Sequence, residues 1–91
     1  MIRSLQSIVT GTVQRVGLRS WIQGQAQSLG VTGWVRNLGD GTVEVLAQGD
    51  EAAVTELRDR LLTGSSLARI QDVRSQWLDY DKRHDRFEIR S

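Results

Sequence analysis

A chain of 91 residues without a cysteine has room for one small domain and excludes disulfides, thiolate catalysis and Cys-ligated metal. Its 12 basic residues against 11 acidic ones leave a net charge of +1, unlike the strongly basic surface of a non-specific nucleic-acid binder. No stretch approaches the ~20 apolar residues of a membrane span, and the first residues lack the apolar run of a secretory signal. The expectation is therefore a monomer in the cytoplasm with no membrane partner. A domain this small buries only somewhat more than ~60% of the surface its unfolded chain exposes, so a site should be a shallow surface feature.

Residues 5–13 are rich in β-branched side chains and predict a first strand, with Val9, Gly11 and Val13 on one face and Ile8, Thr10 and Thr12 on the other. Residues 14–18 form a loop. Leu18, Trp21, Ile22, Ala26 and Leu29 recur at helical spacing and predict a helix over 18–29, ended by Gly30. Residues 31–38 alternate as a second strand, with Val31, Gly33, Val35 and Asn37 on one side. Gly39-Asp40-Gly41 is a turn signal, and Thr42 to Gln48 form a third strand with Val43, Val45 and Ala47 facing inward, which completes a hairpin. Asp50 is the expected N-cap of a second helix over 50–62, and Glu51 suits its dipole. The apolar stripe of that helix is Val54, Leu57, Leu61 and Leu62, and Gly64 ends it. Strand character returns over 69–78 and 86–90, separated by a charged turn from Asp79 to Asp85.

The order β-α-β-β-α-β plus a short terminal strand predicts an α+β fold, a ferredoxin-like βαββαβ sandwich with an antiparallel sheet and two helices on one face. One domain spans 1–91. The uncovered face is expected to be solvated, with Thr10, Thr12, Glu44 and Gln48 on it. Trp21, Trp34 and Trp77 read as packing residues, and Arg36 and His84 as solvated ones. RNA-recognition domains share this element order, but they stack bases on aromatics of the central strands. Residues 5–13 and Thr42 to Gln48 hold no aromatic, so no nucleic-acid partner is expected.

The topology locates a site. In a βαβ unit the two strands run parallel, and the crossover helix starts at the carboxyl edge of the first. The end of the first strand, the loop and the start of the first helix share that edge, and Asn37, at the end of the second strand, faces the helix beside them. Unpaired N–H groups at a helix start favour an anion, and Arg19 can close the cradle with a planar fork. The stretch Gly11 to Arg19 has neither the Gly-Lys-Ser/Thr ending of a Walker A loop nor dinucleotide spacing. A small phosphate-like group is the ligand this reading supports.

The chain resembles the acylphosphatase family. The resemblance is carried by GTVQRVGLRSW at 11–21, GVTGWVRN at 30–37, DGTVEVLAQG at 40–49 and LARIQDV at 67–73, and it covers nearly the whole chain. It implies hydrolysis of a carboxyl-phosphate anhydride to a carboxylate and inorganic phosphate, with no cofactor and no metal. The loop of Gln14, Arg15, Val16, Gly17, Leu18 and Arg19 is then the phosphate-binding loop, and Asn37 orients the attacking water. Arg15 stands where the family pattern usually has glycine, and Leu18 where it usually has phenylalanine. The competing expectation is a phosphate- or carbamoyl-phosphate-binding module with the same fold and little or no turnover.

Overall fold

The computed structural model describes residues 1–12, 17–64, 69–79 and 82–90. Its elements run β1 Ile2–Thr12, α1 Leu18–Leu29, β2 Thr32–Asn37, β3 Val43–Asp50, α2 Glu51–Thr63, β4 Arg69–Leu78 and β5 Phe87–Arg90. The sheet order is β4-β1-β3-β2-β5, the ferredoxin-like α+β arrangement. β1 and β3 extend further than the β-branched run predicts, because Ile2 to Val9 pair without interruption with Asp50 to Val43.

The expectation of an antiparallel sheet needs one correction. β1–β3, β2–β3 and β1–β4 are antiparallel, but β5 lies parallel to β2, with Gly33 opposite Phe87 and Val35 opposite Ile89. β4 ends beside the start of β1, with Leu78 opposite Ser4, at the end of the sheet where β2 begins. The chain then crosses to the far edge and turns back once, which forces β5 to run in the direction of β2.

Both helices cover the face presented by Leu5, Val9, Val35, Val43, Val45 and Ala47. Leu18, Ile22 and Ala26 of α1 and Val54, Leu57 and Leu61 of α2 are buried against it, each large side chain contributing about 1.5–3 kcal/mol by leaving water. Trp21 packs on this core as expected. Leu62 does not, being 55% exposed; one residue beyond Leu61, it has turned away from the stripe. Gly30 closes α1 in a left-handed conformation, with its own N–H on the Gln27 carbonyl and that of Val31 on Ala26, the Schellman pattern.

The face opposite the helices is less solvated than its polar residues suggest. The connection from β4 to β5 passes over it, and Gln48 is buried beneath: its Nε2 donates to the Lys82 carbonyl at 2.8 Å and to Ser4 Oγ at 3.1 Å, and its Oε1 accepts from the His84 N–H at 2.8 Å. Glu44 is also buried, accepting from Arg36 Nε at 2.7 Å and from Gln6 Nε2, which leaves Arg36 exposed but paired. The Trp34 ring carries both Arg36 and Arg90, whose guanidinium carbons sit 4.9 and 5.1 Å from its centroid, and Trp77 carries Arg3 at 4.1 Å. His84 is half-buried; burial, then the charges of Lys82 and Arg90, push its pKa below the usual histidine value.

Where β1 meets β4 the register shifts between Thr10 and Gly11. A Cβ on Gly11 would lie 2.0 Å from the Arg69 carbonyl oxygen, so only glycine admits the bulged strand this close.

Candidate active site

The site end of the sheet is assembled from β1, β2, β5 and the start of α1. Asn37 closes β2 opposite Val43, which in turn lies opposite Val9. It alternates in phase with the buried Gly33 and Val35, so its side chain is on the helix face. Its Oδ1 is buried and has no hydrogen-bond partner among the described residues. An orphaned buried acceptor costs about 1–3 kcal/mol, and such atoms are few in folded proteins. An oxygen held in this state is ready to accept a hydrogen bond from something that binds.

Gly17 precedes α1 in the left-handed region, with φ 74° and ψ 15°, and its carbonyl accepts the Trp21 N–H at 3.1 Å. This conformation costs an L-residue about 1–2 kcal/mol and glycine nothing comparable. Among the described residues no side chain caps the helix start, and its first turn holds no acidic residue. Leu18, the first residue of α1, is buried in the core, so only its backbone can face a ligand. Gln14, Arg15 and Val16 lie outside the described residues, so the expectations placed on them concern a stretch to which the structure does not speak.

Arg19 follows Leu18 and is half-buried. Its Nη1 donates to the carbonyl oxygen of Arg90 at 3.2 Å. Arg90 pairs with Arg36, the residue before Asn37. Arg19 and Asn37 are thus brought to one end of the sheet and to its helix-covered side, one anchored on β5 and the other on the adjacent β2. This combination offers charge, a planar donor fork and an acceptor for water; it offers no nucleophile. The Arg90 carbonyl is a partner of Arg19 that the sequence does not reveal, since any residue type supplies a backbone oxygen and the pairing of β5 with β2 carries it here.

A family model described as Acylphosphatase matches residues 5–89. The chain belongs to the acylphosphatase family. An acylphosphatase from Caldanaerobacter subterraneus subsp. tengcongensis is 43% identical over 89 residues, covering 98% of this chain and 99% of the relative. One from Deinococcus radiodurans is 45% identical over 73 residues, 80% and 84% of the two chains. Among solved acylphosphatase structures, that from Bacillus subtilis superposes with a TM-score of 0.93 at 34% identity, covering all of both chains. That from Coxiella burnetii gives 0.92 at 29% identity, covering 98% of this chain and 93% of the other. No helix among the described residues is long and apolar enough to cross a membrane.

Proposed function

We propose that Arg19 and Asn37 carry the hydrolysis of acyl phosphates that acylphosphatase membership assigns to this chain, Arg19 as the phosphate clamp and Asn37 as the holder of the attacking water. The phosphoryl group sits against the loop of Gln14, Arg15, Val16, Gly17 and Leu18, whose N–H groups and the dipole of α1 stabilise its oxygens. Arg19 closes on the same oxygens with its fork. Asn37 Oδ1 accepts an O–H of the water and turns a lone pair toward phosphorus. The water oxygen attacks phosphorus in line. The bond from phosphorus to the acyl oxygen breaks, the carboxylate leaves with the electron pair, and the water proton passes to phosphate oxygen or solvent.

An activated anhydride with a carboxylate leaving group needs positioning and charge more than covalent help, which matches what the site offers. The observation that carries the reading is the unpartnered Oδ1 of Asn37, buried beside a helix start that holds an arginine and no acid. All the groups invoked come from one chain, which suits a single domain over 1–91 acting as a monomer, and a cysteine-free sequence suits the reducing cytoplasm. The test is turnover of benzoyl phosphate by the purified protein and by its Arg19→Ala and Asn37→Ala variants. Rapid hydrolysis, lost in both, supports the assignment. Turnover that survives both substitutions overturns it, and phosphate binding without turnover identifies a binding module instead.

A further inference from the structure

The chain leading into β5 is held over the sheet by a buried amide, Gln48. From β4 at one edge of the sheet the chain crosses to β5 at the other, and on the way it passes over Gln48, 2% exposed. Both ends of that amide engage the crossing: the Lys82 carbonyl accepts from its Nε2 and the His84 N–H donates to its Oε1, while the second Nε2 hydrogen goes to Ser4 Oγ on the neighbouring strand. A buried amide is costly unless satisfied, and an apolar side chain would cover this patch of sheet equally well. What the amide adds is a fixed position and register for the chain above it.

Just beyond the anchor the chain docks. The Arg86 carbonyl accepts the Gly33 N–H at 3.0 Å, the Phe87 carbonyl accepts Gln23 Nε2 at 3.1 Å, and Arg90 ends β5 with its carbonyl on Arg19. β5 has 4 residues, and a strand so short on a sheet edge is among the first elements to open. Its entry point decides where its carbonyls fall.

We propose that Gln48 is a positioning residue for Arg19, acting through the crossing it anchors and through β5. The proposal rests on Arg19 being the phosphate clamp. Gln48 sets the height and register at which β5 enters the edge, β5 presents the Arg90 carbonyl, and that carbonyl holds the guanidinium at the angle the phosphoryl group needs. Losing the anchor lets Arg19 sample other orientations, and small displacements of a positioning group cost large factors in rate.

The experiment compares Gln48→Leu with the unmodified chain, well below the melting temperature of both, using benzoyl phosphate as substrate and inorganic phosphate as inhibitor. The expected result is a loss of about tenfold in kcat/KM with a parallel rise in the inhibition constant for phosphate. Combined with Arg19→Ala, Gln48→Leu should cause no further loss, since its effect runs through the missing guanidinium. If Gln48→Leu does not fold, His84→Pro cuts the same anchor by removing the N–H that Gln48 accepts, and the same pattern is expected. Unchanged kinetics overturn the proposal, as does an equal loss in both Arg19 backgrounds. Activity that is indifferent to Arg19→Ala removes the clamp itself and is recognised by that variant alone.

Discussion

The two helices of this domain begin in opposite ways. α2 starts as isolated-helix physics prefers: Asp50 at the N-cap position, Glu51 in the first turn, Glu51 paired with Arg3, and the N-terminal amine 3.9 Å from Asp50. Its positive end is neutralised within the chain. α1 starts with a left-handed glycine, no acid in its first turn and a cation at its second residue, so no acid among the described residues of that turn offsets its positive end. The dipole rule is obeyed at the helix start that only packs and broken at the one where phosphate is proposed to bind, which is where such violations are expected to fall.

Breaking the contrast at its strongest point means removing the cation. Arg19→Ala should lower kcat by at least ~10²–10³, the factor typical of one preorganised donor, and Arg19→Lys should be severely impaired because a point ammonium lacks the fork; steady-state kinetics with benzoyl phosphate decide it, and near-normal turnover in the lysine variant counts against the clamp. Asn37→Ala should cost ~10²-fold in kcat. It should also hold or raise the melting temperature, because it removes an unsatisfied buried acceptor; a marked loss of stability would show that the amide is structural.

Two milder changes make the helices alike. Ser20→Asp gives α1 the acid it lacks and should stabilise the fold by about 0.3–1 kcal/mol, while raising KM by repelling the phosphoryl group; urea unfolding and kinetics should move in opposite senses. Glu51→Gln takes the acid from α2 and should cost about 0.3–1 kcal/mol with kcat and KM unchanged. A kinetic effect from Glu51→Gln would mean that the two helix starts are coupled.

Much of this was legible in the residues. Helical spacing located both helices, α1 to its exact bounds of 18–29, and strand alternation put Asn37 on the helix face, because both signals are local and periodic. Longer-range features escaped. Glu44 and Gln48 read as solvated since they are polar and alternate with Val43, Val45 and Ala47; they are buried because Arg36 across the hairpin and partners distant in sequence, Gln6, Lys82 and His84, close over them. The parallel course of β5 follows from where β4 ends, which a four-residue strand does not encode. Asp50 takes the N-cap position, yet its side chain makes no cap hydrogen bond.

The hydrogen bond from Arg19 to the Arg90 carbonyl joins residues 71 apart in sequence. A contact of that span closes a long loop, and its entropy must be met before the contact returns anything. It belongs with the contacts expected to form late in folding, after the hairpin of β2 and β3 and after helix docking. Competence is then a property of the finished chain trace rather than of any fragment of it. During refolding, hydrolysis should return with the slowest structural phase and never ahead of it, making catalysis a reporter of when this fold is complete.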